Sequence, residues 1–63
     1  MKKLLEKYSY CIDTIEKEEG SYWCYLKENY TFEGCHTIHE DTLKEVENCL
    51  KNVEENWYEF RRF

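Results

Sequence analysis

The chain has 63 residues, of which 37% are charged and 41% are hydrophobic, with 14 Asp and Glu against 9 Lys and Arg. Such a length makes a single domain, residues 1–63, that buries roughly 60% of its unfolded surface and has no room for a large enclosed active site. The net charge of −5 disfavours direct binding to nucleic-acid phosphates and favours a basic protein partner. Composition therefore excludes most enzymes, transporters and direct readers of DNA.

The N-terminus and the cysteines indicate the compartment. An apolar run that begins within residues 1–5 ends at Glu6 and Lys7, so it is too short for a signal peptide. No stretch approaches the roughly 20 apolar residues of a transmembrane helix. We therefore expect a cytoplasmic protein without a membrane contact. In that compartment the cysteines are expected to be reduced thiols rather than two disulfides: Cys11, Cys24, Cys35 and Cys49.

Alternating aromatic and β-branched residues near the N-terminus predict a first β-strand over residues 8–15. The two faces of this strand carry different side chains, namely Tyr8, Tyr10 and Ile12 on one face and Cys11 and Ile15 on the other. Residues 16–20 form the turn that follows, in which Gly20 takes a positive φ that the other four residues resist. Residues 21–27 then return as the second strand of a hairpin.

A third strand is expected within residues 30–38, with a bulge or bend at Gly34. After residue 40 the hydrophobic period becomes that of a helix. Its apolar stripe, whose spacing also suits a coiled-coil seam, consists of Leu43, Val46, Leu50, Val53, Trp57 and Phe60. Thr42 and Glu45 form a capping box at the start of the helix. The sequence thus predicts an α+β fold in which one long helix, residues 42–60, packs on a three-stranded antiparallel sheet.

Three segments of the chain resemble the N-terminal domain of the HicB antitoxin family: Glu19–Tyr25, Gly34–Thr37 and Asp41–Leu50. Their order and approximate spacing agree with that family over residues 8–60. The resemblance implies a β-β-β-α domain related to a reduced ribonuclease-H-like fold. It also implies a function, because in the family this domain binds and blocks HicA, a small basic toxin that cleaves RNA.

The chain departs from the family pattern in three places, one of which is the stretch between Cys35 and Asp41, about one residue longer than in the family. The loop Lys27–Glu33 has no proline and is a few residues longer than the corresponding loop of the family. The family continues into a DNA-binding segment, whereas this chain stops at Phe63, so the resemblance does not imply operator binding. The alternative hypothesis is a phage-encoded inhibitor of a host defence effector, an acidic decoy of the anti-CRISPR type. Both hypotheses predict a basic nucleic-acid-binding partner, either a toxin ribonuclease or a CRISPR effector.

The sequence also contains residues of the types that form catalytic and metal sites. The candidate zinc ligands are Cys35, His36 and His39, with Cys24 or Cys11 as the fourth. Adjacent residues of a strand point to opposite faces, which makes this set a poor tetrahedron. A cysteine protease would need a thiolate, a histidine base and a substrate cleft. The carboxylates that could form a nuclease cluster are Asp13, Glu33 and Asp41. We expect none of these sites, and hence no catalytic residue, metal or cofactor.

The expected partner-binding residues are acidic and aromatic side chains in two parts of the chain. The first group lies in the hairpin and comprises Glu16, Glu18, Glu19, Tyr22 and Tyr25. The second group lies in the last part of the predicted helix and comprises Glu54, Glu55, Trp57, Tyr58 and Glu59. Aromatic residues make up 17% of the chain, more than one helix on a small sheet can cover. Together with an uncovered edge strand, this excess predicts a homodimer.

Overall fold

A computed structural model describes residues 2–55 of the chain as seven short elements. They are α1 (Lys2–Lys7), β1 (Ile12–Glu18), β2 (Ser21–Leu26), β3 (Tyr30–Thr31), β4 (Thr37–Glu40), α2 (Leu43–Leu50) and β5 (Glu54–Glu55). Strands β1, β2 and β4 form an antiparallel sheet in the order β1-β2-β4, and β3 pairs with β5 in a separate two-stranded sheet. The fold is α+β, but its helices are short. None of the helices described within residues 2–55 is long and apolar enough to cross a membrane.

The predicted helix over residues 42–60 is wrong, because α2 ends at Leu50. Its start agrees with the predicted N-cap, since the Thr42 hydroxyl accepts a hydrogen bond from the Glu45 backbone N–H at 3.2 Å. The predicted capping box is only half formed, because the Glu45 carboxylate accepts from the Thr42 hydroxyl at 3.1 Å rather than from the Thr42 backbone N–H. The apolar stripe is also correct over this length, since Val46 and Leu50 are buried and Leu43 packs against them. The buried face of α2 was therefore predictable from the sequence, whereas the length of the helix was not.

The side chain of Asn52 and strand pairing end the helix early. The Asn52 side-chain amide donates to the Asn48 carbonyl at 3.0 Å, a local bond of the kind that competes with helix continuation. Glu54 and Glu55 then pair with β3, which satisfies their backbone groups outside a helix. Val53 still packs against the core from this extended stretch, so its place in the stripe did not require a helix. Trp57 and Phe60, the last two residues of the stripe, lie outside the described residues.

The first strand also differs from the prediction. It covers Ile12–Glu18 instead of residues 8–15, and the unpredicted helix α1 precedes it. Ile12 is opposite Leu26 whereas Thr14 is opposite Tyr25, so β1 contains one extra residue at this point. Such a bulge shifts the alternation by one position. Ile12 and Ile15, which were expected on opposite faces, consequently both point into the core.

Two turns of the same kind organise the chain. Glu19 and Gly20 have φ values of 50° and 82°, and Glu33 and Gly34 have φ values of 52° and 82°. Positive φ at both central residues of a two-residue loop is the type I′ turn, whose twist suits an antiparallel hairpin. The expectation that only Gly20 would take a positive φ is wrong, since Glu19 does so as well. Gly34 lies in a tight turn rather than a bulge, and the third strand of the sheet begins after it.

Both helices pack on the same face of the three-stranded sheet. The buried residues that form this core come from both helices, the strands and the segment before β1: Leu4, Tyr8, Cys11, Ile12, Ile15, Cys24, Leu26, Ile38, Val46 and Leu50. Alternation along a strand sends every second side chain to the other face. In residues 2–55 no helix covers that other face.

The first prediction concerns the hairpin turn. Glu19→Asn should raise the free energy of unfolding by about 0.5–1 kcal/mol, because Asn adopts a positive φ at lower cost than Glu and Asn-Gly is the preferred pair in type I′ turns. Urea unfolding monitored by circular dichroism measures the change. Glu28→Asn is the matched control, since it removes the same charge at an exposed turn position without a positive φ. Equal effects of the two substitutions would mean that charge, not backbone conformation, is responsible.

Candidate partner-binding surface

The face of the sheet that points away from the helices has an aromatic centre. Trp23 and Tyr25 occupy alternate positions of the central strand β2, on the side opposite the buried Cys24. Across the strands, Trp23 lies between Glu16 of β1 and His39 of β4. Tyr25 lies between Thr14 and Thr37 in the same way. We name this surface the open sheet face; it consists of Thr14, Glu16, Trp23, Tyr25, Thr37 and His39.

Trp23 and His39 stack on each other across the two strands. Their ring centroids are 3.8 Å apart and the ring planes differ by only 8°. A cross-strand pair of this kind holds both rings in fixed positions, and it limits the entropy that Trp23 would lose on binding. A flat, fixed indole is a good surface for the guanidinium or ammonium group of a partner, which the ring quadrupole attracts.

Carboxylates border one end of the open sheet face. Glu16 and Glu18 occupy alternate positions of β1, so they point to the same side as Trp23. Ser21, which is opposite Glu18, donates a hydrogen bond to Asp41 at 3.3 Å and holds that carboxylate at the same end of the sheet. Lys17 points to the other side, where its ammonium lies 5.5 Å from the centre of the Tyr22 ring. The aromatic centre therefore lies next to negative charge, an arrangement suited to a basic group.

The structure divides the predicted partner-binding residues among several places. Glu16 and Tyr25 belong to the open sheet face, and Glu18 lies at its acidic end. Glu19 lies in the adjoining turn. The others lie elsewhere: Tyr22 on the helix side against the core, Glu54 and Glu55 in β5, and Trp57, Tyr58 and Glu59 outside the described residues. Glu55 already accepts a hydrogen bond from the Tyr30 hydroxyl at 3.2 Å. The two predicted groups thus do not form one surface in the described part of the chain.

The partner-binding residues expected from the sequence did not include Trp23 and His39, which the structure places at the centre of the open sheet face. A signal for Trp23 was present, because strand alternation puts it on the same face as Tyr25, two positions away. Tyr22, by contrast, had to be on the opposite face from Tyr25. The signal for His39 was weaker, since its meeting with Trp23 depends on the register between β2 and β4, which the turn at Gly34 and the start of β4 determine.

The candidate zinc ligands are dispersed. Cys11 and Cys24 are buried in the core, whereas Cys35 is exposed at the second type I′ turn. The His36 ring is hydrogen-bonded through Nδ1 to the Tyr30 carbonyl at 2.8 Å, and His39 lies in the stack with Trp23. Within residues 2–55, no three His, Cys, Asp or Glu side chains are arranged to hold a metal ion.

The cysteines are free thiols, and burial keeps the inner ones protonated. Burial raises the pKa of the Cys24 thiol to about 12. Burial, assisted by a hydrogen bond from the Cys49 thiol to Glu40 at 3.4 Å, raises the pKa of Cys49 to about 11. Because the thiolate is the reactive form, neither side chain is suited to nucleophilic chemistry near neutral pH.

No protein-family model matches the chain, and no curated protein or solved structure is significantly similar to it. The resemblance of three short segments to HicB domains therefore stays a prediction. Its expected β-β-β-α fold with one long helix is corrected by the short α2 and by the additional elements α1, β3 and β5. The open sheet face supports a functional proposal that does not depend on this resemblance.

The second prediction concerns thiol reactivity at pH 8. Iodoacetamide should modify Cys35 of the native chain first, because this side chain is exposed, whereas Cys11 and Cys24 should react only when the chain unfolds. Mass spectrometry of proteolytic fragments over time measures the order. A denatured, non-reduced sample is the control and should show free thiol at every cysteine. A Cys24 rate equal to that of Cys35 would contradict the buried position of Cys24.

Proposed function

We propose that the protein is a small acidic inhibitory protein that acts by binding, without chemistry of its own, and occludes a basic protein that handles nucleic acid. The stacked Trp23 on the open sheet face, next to the carboxylates of Glu16 and Glu18, is the observation that carries the proposal. An arginine of the partner can lie on the indole while its guanidinium donates hydrogen bonds to a carboxylate. Such an arginine is then no longer accessible to a phosphate group.

The charge of the chain supports the same class of partner. Proteins that bind nucleic acid present Lys and Arg to the phosphates, and a net charge of −5 attracts such a surface during encounter. The three segments that resemble HicB domains favour a ribonuclease toxin of the HicA type as the target. We propose that the chain and a target of this type are both located in the cytoplasm.

The third prediction tests the open sheet face with a capture experiment. The immobilised chain should retain a basic nucleic-acid-binding protein from the lysate of its host, and Trp23→Ser should weaken binding of the purified partner by about 2 kcal/mol or more, as expected for a central aromatic anchor. Tyr10→Ser is the matched control, because it removes an aromatic side chain that is 57% exposed but lies outside the open sheet face. Calorimetry or surface plasmon resonance measures both variants.

Charge reversal completes this test. Glu16→Lys with Glu18→Lys should slow association strongly, whereas Glu6→Lys with Glu28→Lys changes the net charge equally at exposed positions away from the open sheet face. Inhibition of the partner by the two double variants should differ accordingly. The proposal is wrong if the purified chain itself binds RNA or DNA with a steep salt dependence, or if both double variants inhibit equally. The identity of the captured protein distinguishes a toxin from a host defence effector.

We also propose that the protein is a homodimer, joined along β1. This strand is at the edge of the sheet, and its outer backbone groups have no strand partner within residues 2–55. Antiparallel pairing of two copies along β1 would cover the β1 edge of each copy and place the two open sheet faces side by side.

The fourth prediction is the mass of this dimer. Light scattering at micromolar concentration should give twice the chain mass of 7.9 kDa. Lys17→Pro removes a backbone donor of β1 that points away from β2 and should shift the protein towards the monomer, whereas Thr31→Pro in β3 should not. Circular dichroism checks that both variants fold. A clean monomer of the unmodified chain would contradict the dimer but not the occlusion mechanism.

A further inference from the structure

A groove of about 610 Å³ lies between α1 and α2, on the side of the sheet away from the open sheet face. It is lined by four lysines, two leucines and one glutamate: Lys2, Lys3, Lys7, Lys44, Leu4, Leu43 and Glu47. We name it the helix groove. Its volume falls in the range of about 300–1,000 Å³ that is typical of small-molecule sites.

The floor of the helix groove is apolar. Leu4 is only 8% exposed and belongs to the core, and Leu43 is half-buried and packs against the core. The methylene stems of the lysines extend this apolar surface along the walls, since long charged side chains bury their stems and keep the ammonium group in water. A ligand that fills the groove therefore needs an alkyl part.

The rim of the helix groove is positive, in a chain whose net charge is −5. Glu47 is the only carboxylate among the lining residues, and it is already paired with Lys7 at 3.3 Å. The ammonium groups of the other three lysines, Lys2, Lys3 and Lys44, have no carboxylate in the lining to offset them. These like charges repel one another, and an anion placed between them would relieve the repulsion.

We propose that the helix groove binds a single anionic amphiphile, meaning a carboxylate, sulfate or phosphate head on an alkyl chain. The head lies among Lys2, Lys3 and Lys44, and the chain lies on Leu4 and Leu43. A nucleotide fits less well, because the lining contains no aromatic side chain on which a base could stack. A flat membrane surface also fits less well, because Leu4 is buried and Leu43 is half-buried, so little of the apolar lining projects outward. This inference does not depend on the proposed function, which uses the other side of the sheet.

The fifth prediction tests this site with dodecanoate below its micelle concentration. Isothermal calorimetry on the full chain should show saturable binding to one site per chain that weakens as salt is added. Acetate, which has the head without the chain, and dodecyltrimethylammonium, which has the chain with the opposite charge, should not bind measurably. Trp23→Ser should bind dodecanoate like the unmodified chain, so failure of the partner test and failure of this one are distinguishable.

Two matched double variants locate the site. Lys3→Gln with Lys44→Gln should weaken dodecanoate binding by at least about tenfold, because both charges face the head group. Lys27→Gln with Lys51→Gln removes the same charge at exposed positions outside the groove and should change binding less than about twofold. Circular dichroism verifies that both fold.

Several outcomes would overturn the proposal. They are absence of saturable dodecanoate binding, equal binding of the cationic amphiphile, and equal loss in the two double variants. Binding to sedimented vesicles of anionic lipid without binding to monomeric dodecanoate would also overturn it, in favour of a membrane-surface contact.

Discussion

The described part of the chain, residues 2–55, covers only one face of its sheet with helices. Its core consists of the inward side chains of β1, β2 and β4 together with residues of α1, α2 and the segment between α1 and β1, and all of these lie on one side. A domain of this size buries only about 60% of the surface of its unfolded chain, so much of the sheet surface stays outside the core. The apolar side chains on the uncovered face must either bind a partner or tolerate contact with water. Here it consists of a stacked tryptophan, a tyrosine and the threonines beside them, which tolerate water better than aliphatic residues do.

The register of the strands determines what this outer face can do. A slip of one residue would send Trp23 into the core and Cys24 to the surface. Two devices fix the register: the type I′ turn at Glu19 and Gly20, which places Glu16 opposite Trp23, and the bulge near Asp13, which returns Ile12 to the core side. Because of the bulge, two successive residues around the start of β1, Cys11 and Ile12, are both buried. The arrangement of side chains on the open sheet face thus depends on local backbone geometry at positions outside that face.

Elements whose determinants lie within a few residues could be predicted from the sequence. The hairpin, the N-cap at Thr42 and the packed face of α2 were predictable, because turn chemistry, capping and the spacing of Val46 and Leu50 act over a few residues. The end of α2 was not, because the apolar spacing continues to Val53 while the backbone leaves the helix to pair with β3, a partner about 24 residues earlier. The predicted strand at residues 8–15 failed for a related reason: Tyr8 is buried at the end of a short helix, where periodicity over so few residues is uninformative.

The two proposed surfaces lie on opposite sides of one sheet and share no residue. A sheet with helices on one face separates them by about 10 Å, the usual distance between packed layers. The Debye length at physiological ionic strength is about 8 Å, so the charge of an anion in the helix groove is largely screened at the carboxylates beside Trp23. Electrostatic coupling between the surfaces is therefore weak, and a bound amphiphile would act on partner binding mainly by stabilising the folded state, through the contact that it adds between α1 and α2. A substantial effect of dodecanoate on partner affinity would instead require a conformational change of the sheet, because the two ligands have no direct contact through which to interact.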